Sequence, residues 1–545
     1  MPLEPTDVIV IGAGPVGVTL ACELKRHGAR VRLIDKKAEP NPHPNAAIVH
    51  VRTLEIFAAM GAVDGFLKEG YPFPGIHAHI NGRHAAFLDL AGLDSPYPVP
   101  RTLGQQITER ILREHFAKLG GEVERPVEAV GFEQDADGVR VHLRHLADGN
   151  REEVAAARYV VGCEGSASIT RETAKIDFPG ERYVGTEFLQ ADVNVRWTYP
   201  HGFGYQFMTG DLMVLFFAYD KEGHYRIISA RPDQDPENKN PPTLEEMQEV
   251  VRLAADPAAE LYDPAWMNRF RSGHRIAKTF REGRAFLAGD AGHVHVPIGG
   301  QGMNYGMHDA FNLGWKLAAV LKGEANHELL DTYQTERHGA DEMLIKGTDF
   351  AFHALLGGGA VHRAALKTIA PVMMNLDVVQ KRVRNTLGEL NVAYPESTLS
   401  EDHGGSHGPV AGDRALDAIV VTMPGRKTTT VFDVMHGTRW TLLLLAGHQP
   451  IESDVESLEK MAGPIAQKYG ARIATHLVLC GEPPVPVHES WAANVLMDRE
   501  RFVHQKYGVA TSPCLYLIRP DWHIAFRGGL EHADHLRKYL ERIFN

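Results

Sequence analysis

A continuous apolar run, Val8-Ile-Val-Ile11, leads straight into Gly12-Ala-Gly14-Pro-Val-Gly17, and this leaves the chain little choice of local fold. The run predicts a buried strand, the glycines a tight turn, and the residues through about Arg26 a helix. A second strand, Arg30 to Ile34, ends at Asp35. In a G-x-G-x-x-G turn the glycines allow the sharp reversal, the approach of main chain to a pyrophosphate and close helix–strand packing. An acidic residue ending the second strand can hold a ribose diol. A lone glycine motif is also met by a plain strand–helix turn. Strand, helix and acidic residue together select a dinucleotide site.

A second constraint is the run from Gly283 to Gly323, GRAFLAGDAGHVHVPIGGQGMNYGMHDAFNLGWKLAAVLKG. A short apolar strand (Ala285 to Ala288) meets Gly289-Asp290, and a loop rich in Gly, His and Pro precedes a long amphipathic helix. Glycines 299, 300 and 302 let main chain come close to a ligand. The helix turns its positive N-terminal end toward that loop, which suits an electron-rich or anionic ring edge. Asp290 reads either as a ligand contact or as a helix-capping carboxylate.

Between these segments lies a third motif, Tyr159-Val-Val-Gly-Cys-Glu164-Gly165-Ser-Ala-Ser168-Ile-Thr-Arg171. Together with Arg52-Thr-Leu-Glu-Ile-Phe, Gln105, Trp266, Phe270 and Tyr333-x-x-Glu336-Arg337, the chain resembles the class A FAD-dependent aromatic hydroxylases. The likeness covers nearly its whole length. It is nearest the phenol-hydroxylase-like members with an extra C-terminal thioredoxin-like domain. The resemblance implies an α/β fold: a Rossmann-like (GR2-type) FAD-binding domain over 1–180 and 275–395, an inserted β-sheet substrate domain over 181–274, and a thioredoxin-like domain over 413–545. It implies hydroxylation of a phenolic ring, ortho to an existing hydroxyl, with NADPH or NADH as reductant and O2 as co-substrate, by way of a flavin C4a-hydroperoxide.

The same resemblance gives roles to residues. Gly12, Gly14, Gly17 and Asp35 would hold the ADP half of FAD. Arg52, Gln105 and Asp290 would meet the pyrophosphate and ribityl chain, and Glu164 the cofactors. Pro297, Gly300, Gly302, Met303 and Asn304 would lie against the isoalloxazine ring. The chain also departs from the family: Glu164 replaces an Asp, Asn45 an Arg, and Ala47 stands where some relatives carry a substrate-activating base. His50 and Tyr205 are then the candidates for activating or orienting a phenol, beside their plainer readings as a buried histidine and a sheet tyrosine. Arg226 reads either as a partner for a substrate carboxylate or the cofactor, or as a solvated strand residue. His293 and His295 have the look of a metal pair but lack a further ligand at suitable spacing.

Composition sets outer limits. A chain of 545 residues is too long for one core. Net charge of -12 argues against a nucleic-acid or anionic membrane partner. No stretch approaches the roughly 20 apolar residues of a membrane span, no signal peptide is visible, and a cytoplasmic location is expected. Cysteines 22, 163, 480 and 514 have neither metal-ligand nor disulfide-framework spacing.

Three zones follow along the chain. Residues 181–274 alternate apolar and polar side chains, as in FGYQFMTG and DLMVLFFAYD, and predict strands with turns at Thr209-Gly210-Asp211 and Lys221-Glu222-Gly223. Residues 340–390 read as helices broken near Pro371, with Met373-Met374-Asn-Leu in the core. A Ser/Gly/His-rich linker, 397–412, precedes a last zone without any C-x-x-C, which reads as a packing or dimerisation module. Two other functions fit the same residues: a flavin oxygenase acting on a polycyclic polyketide, and an FAD-binding scaffold that no pyridine nucleotide reduces.

Overall fold

The computed structural model describes residues 6–356, 372–423, 425–481 and 487–544; Pro371 lies outside them. The strand Val8–Ile11 is buried at every position. It pairs in parallel with Val31–Ile34 on one side and Tyr159–Gly162 on the other, and Tyr159–Gly162 pairs with Ala285–Leu287. An all-apolar strand is what a sheet covered on both faces requires. Here Val8, Val10 and Leu33 pack under helices, including Pro15–Arg26 and Gly302–Leu321. Ile9, Ile11 and Ile34 face a three-stranded antiparallel sheet, Val127–Gln134, Val139–His145 and Arg151–Ala157.

A seven-stranded sheet stands beside this unit, in the order Glu260–Phe270, Thr186–Arg196, His224–Pro232, Leu212–Ala218, Gly204–Thr209, Gly75–Ile80, Arg83–Asp89. The turn at Gly210, with φ of 61°, joins two of its strands as expected. The sheet extends beyond 181–274, because Gly75–Ile80 pairs in parallel with Gly204–Thr209. That pairing is non-local and leaves no signal in either segment alone. Period-two alternation sorts the sheet's side chains between two faces. Val214, Phe216, Tyr225 and Ile227 pack under the helix Leu244–Ala254. Phe217, Ile228 and Ala230 pack toward Ala47, Ile48 and Val296 of the first unit.

The C-terminal part holds an eight-stranded mixed sheet. Trp440–Leu445, Ile473–Cys480 and Val495–Asp498 are parallel neighbours, while Cys514–Ile518 and Ile524–Gly529 run antiparallel beside them. The helices Glu452–Tyr469 and Ala533–Ile543 bury Val455, Leu458, Leu536 and Tyr539 against it. Two expectations change. The 397–412 segment is not a free linker: Glu401–Asp402 pairs with the sheet edge, and Arg527 donates to the carbonyls of Gly405 and His407 at 2.6 and 2.8 Å. Met373 and Leu376 are 46% and 47% exposed, so they do not build core.

A wholly buried ion cluster joins this sheet to the first unit. Glu336 accepts from Lys316 Nζ at 2.6 Å and from both terminal nitrogens of Arg519 at 2.6 and 2.9 Å. Ser397 Oγ donates to its other oxygen at 2.6 Å. Burial opposes the Glu336 charge, but Arg519 and Lys316 outweigh it and hold the carboxyl at about 2.

Candidate functional site

The carboxyl ends of Val8–Ile11 and Val31–Ile34 open into a cleft of about 950 Å³, bounded on its far side by the seven-stranded sheet. Ligands in open α/β sheets collect at such strand ends. Gly12 adopts φ of 97°, and a Cβ there would stand 2.6 Å from the Cys163 carbonyl oxygen. A Cβ on Gly17 would fall 1.9 Å from the Gly12 oxygen. Both glycines are therefore demanded by the protein's own packing. Gly14 differs, since a Cβ there meets nothing within 4 Å; its freedom faces the cleft. Asp35 lines the same end. Its Oδ2 accepts from the Ala13 N–H at 2.9 Å and lies 3.4 Å from Arg125 Nη2.

Gln105 opens the helix Gln105–Lys118. Its Oε1 accepts from the Ala46 N–H at 3.2 Å and its Nε2 donates to Glu109 at 2.9 Å, fixing the amide at the cleft wall. Glu164 Oε1 accepts from Ser168 Oγ and the Thr170 N–H, each at 2.8 Å. Its Oε2 is buried and has no partner among the described residues.

Asp290 follows the strand Ala285–Leu287 at the cleft floor, its side chain open to the cleft. The surrounding protein pushes its carboxyl above the usual range, and the neighbouring His293 charge partly opposes this. The loop beyond it carries Gly299 and Gly300 at φ of 78° and 67°, left-handed conformations that need glycine. Pro297, Gly300, Gly302 and Met303 line the cleft. The helix Gly302–Leu321 begins there without a side-chain cap. His295 also lines the cleft; burial lowers its imidazole to about 4, Nδ1 meets the Val296 carbonyl at 2.9 Å, and Nε2 is buried without a partner among the described residues.

Four expected residues sit elsewhere. Arg52 turns away from the cleft, bonding Glu55 at 2.9 Å and the Asp521 carbonyl at 2.8 Å, because its helix packs that face on the C-terminal sheet. Asn304 is buried behind the loop; its Oδ1 accepts from the His50 N–H and its amide donates to Ile48 and Gly300, all at 3.0 Å. His50 Nε2 reaches the Gly299 carbonyl at 2.8 Å, and burial lowers the imidazole to about 4. His50 and Asn304 brace the loop from behind rather than line it. Tyr205 lies on the helix-covered face of the sheet among Trp197, Tyr199 and Phe207, its hydroxyl on the Pro200 carbonyl at 2.6 Å. It does not reach the cleft, since strand alternation sends its neighbour on that strand, not Tyr205, toward the first unit.

The substrate-side wall carries Ala47, Gln190, Phe217, Ile228, Asn268 and Phe270. Arg226 is not solvated. It is fully buried, paired with both oxygens of Asp192 and with the Pro44 and Asn45 carbonyls, and it lies over Trp266 at 4.9 Å. That arrangement pins the 44–45 segment to the sheet. Arg125, missed in the sequence, reaches the cleft because Val123–Glu124 joins the edge of the parallel sheet beside Val31–Ile34. A two-residue strand pairing ninety positions away leaves no local trace.

The arrangement fits FAD on three observations: the open space over Gly14, the partnerless Glu164 Oε2 and His295 Nε2 at the cleft, and an uncapped helix N-terminus beside the glycine loop.

Comparison with known proteins agrees. Residues 5–348 match the FAD binding domain family. Pentachlorophenol 4-monooxygenase of Sphingobium chlorophenolicum is 32% identical over 98% of this chain and 96% of that protein. The structure of OxyS anhydrotetracycline hydroxylase from Streptomyces rimosus superposes with a TM-score of 0.76 at 29% identity, covering 99% of both chains. That of aklavinone-11 hydroxylase, a ternary complex with FAD and aklavinone, superposes with a TM-score of 0.74 at 25% identity, covering 100% of both. The chain belongs to the FAD binding domain family and is an FAD-dependent aromatic monooxygenase.

Proposed function

We propose that the cleft holds FAD with its adenosine end at Gly12, Gly14, Asp35 and Arg125, its middle at Gln105, Glu164 and Asp290, and its ring against Pro297, Gly300, Gly302 and Met303. Bound FAD, reduced by NADH or NADPH, supplies the activation of O2. The chain's own residues position and shield. The first turn of Gly302–Leu321 favours negative charge at the ring edge. Ala47, Phe217, Ile228 and Phe270 exclude water from the reacting ring, and the amides of Gln190 and Asn268 orient a phenolic hydroxyl. The reaction is hydroxylation of a phenol, ortho to its hydroxyl. The observation that carries this reading is one continuous cleft shared by the dinucleotide motif, the glycine loop and an apolar sheet wall. Substituted phenols should accelerate NAD(P)H oxidation with O2 uptake, and hydroxylated product per NAD(P)H consumed measures the coupling. A protein that takes up no FAD, or whose FAD no pyridine nucleotide reduces, would sink it.

A second reading, oxygenation of a polycyclic polyketide, is favoured by that wall: its side chains are apolar or amide apart from Arg226, which is engaged within the protein. The likeness to the anhydrotetracycline hydroxylase points the same way. Product mass and NMR separate the two. The C-terminal sheet is proposed to be thioredoxin-like and to serve packing or dimerisation. The cofactor domain spans 1–180 and 275–395 with 75–89 lent to the substrate sheet of 181–274, and the enzyme is cytoplasmic. Among the described residues, no helix is long and apolar enough to cross a membrane.

A further inference from the structure

Trp440–Leu445, Ile473–Cys480 and Val495–Asp498 lie side by side in parallel, and their carboxyl ends deliver a cluster that the flavin cleft does not use. Cys480 and Asp498 are register partners, so their side chains leave the sheet on the same face. The short helix Phe502–Lys506 brings His504 back over Asp498. One ligand atom from each of Cys480, Asp498 and His504 lies within 4.8 Å of the other two. All three side chains are buried, Asp498 and His504 completely.

The hydrogen bonds point to an absent partner. Asp498 Oδ2 accepts from the His504 main-chain N–H at 2.9 Å and from its Nδ1 at 2.8 Å. A carboxylate on Nδ1 sets the tautomer and leaves the lone pair on Nε2. Among the described residues that Nε2, which is buried, has no partner, and neither has the other oxygen of Asp498, Oδ1. His448, on the loop that follows Trp440–Leu445, has a buried Nε2 that likewise finds no partner among the described residues, and its ring centroid is 5.9 Å from that of His504. An imidazole held by a carboxylate through one nitrogen, with the other free, is how proteins orient metal-ligating histidines. Thiol and imidazole donors together suit a divalent ion of the zinc type, not magnesium or calcium. The position outside the carboxyl ends of parallel strands is where such folds bind ligands.

We propose that Cys480, His504 and His448, with Asp498 holding the His504 ring from its other nitrogen, form a binding site for a zinc-class divalent metal ion in the C-terminal sheet. Binding displaces the Cys480 thiol proton to solvent and leaves a thiolate on the metal. The irregular spacing of these four positions hides the site in the sequence, because the sheet, not a local motif, assembles it.

The test is a titration of the tag-free, FAD-loaded enzyme with Co2+ after chelator treatment, read by visible and near-ultraviolet absorption. A sulfur-to-cobalt charge-transfer band should appear and saturate at one ion per chain, and added Zn2+ should displace it. Cys480→Ser should abolish the band and weaken Co2+ binding by more than about 100-fold, beyond what loss of an outer contact does. His448→Ala, which removes another ligand, should weaken it by more than the roughly 10-fold of a lost outer contact. Wild-type protein that shows no such band, or binds Co2+ no more tightly than Cys480→Ser, would overturn the proposal. Should Cys480→Ser fail to fold, the wild-type spectrum and a rise in melting temperature with Zn2+ decide alone: neither change means no site.

Discussion

His50 Nε2 donates to the carbonyl oxygen of Gly299 across 2.8 Å, far from it in sequence, and so clamps a left-handed glycine from behind. The bond requires a proton on Nε2, and burial keeps the ring neutral by lowering it to about 4. The folded value lies below the ordinary 6.5, so between about pH 6.5 and 4 the unfolded chain binds the extra proton. Stability from this group is present above pH 6.5 and lost as pH falls toward 4. The shift amounts to on the order of 3 kcal/mol. His50→Gln should flatten that part of the stability–pH curve in urea unfolding. It should also loosen flavin retention without moving an inflection in the kcat–pH profile near neutrality.

The three motif glycines should respond differently to alanine. Gly17→Ala puts a Cβ 1.9 Å from the Gly12 oxygen, which main chain cannot relieve, so the variant should unfold early or fail to accumulate. Gly14→Ala meets nothing within 4 Å and has an ordinary φ of -75°. It should melt within about 1 °C of wild-type apoprotein, a change expected of a surface site, yet lose FAD affinity by at least about tenfold. Equal FAD affinity in Gly14→Ala and wild type would remove the cofactor from that turn.

Glu336 carries two cations in a dry seam between the first unit and the C-terminal sheet. Removing it leaves Lys316 and Arg519 buried without their shared partner, and breaking such a pair costs about 3–5 kcal/mol. Glu336→Ala should therefore lose that much in denaturant unfolding. Glu336→Gln keeps the hydrogen-bonding shape but not the charge and should fall between. Lys316→Met together with Glu336→Leu should recover part of the loss, since an apolar replacement of a buried pair is often neutral.

What the sequence disclosed and withheld divides along local and non-local physics. Gly12, Gly14, Gly17, Asp35 and the Gly299–Met303 loop were legible because each motif is a single strand–turn–helix whose sterics lie within a few residues. Arg52 and Asn304 share those motifs, yet their side chains are claimed by the Asp521 carbonyl and by Ile48, partners set by tertiary packing. Arg125 and the strand Gly75–Ile80 were missed for the same reason: each is placed by an edge pairing with a distant segment. The face of each sheet residue also needed the register, which alternation alone does not orient.

That register yields the sharpest contrast. Tyr205 and Phe217 belong to neighbouring strands, but Tyr205 opposes Phe216, and both pack under the Leu244–Ala254 helix. Phe217, one residue on, faces the cleft. Tyr205→Phe removes only the hydroxyl bond to the Pro200 carbonyl, a loss of about 1 kcal/mol, and should leave kcat and KM within about twofold, well under the 1.4 kcal/mol of a tenfold change. Phe217→Ala should keep its flavin but raise the KM for the aromatic substrate by about tenfold, the scale of a lost apolar side-chain contact, and should release more peroxide per NAD(P)H as water enters. The comparison is made on flavin-loaded protein with the phenol that couples best. A Tyr205→Phe enzyme that binds FAD normally but loses hydroxylation would return Tyr205 to the site and reverse the assignment of the sheet's two faces.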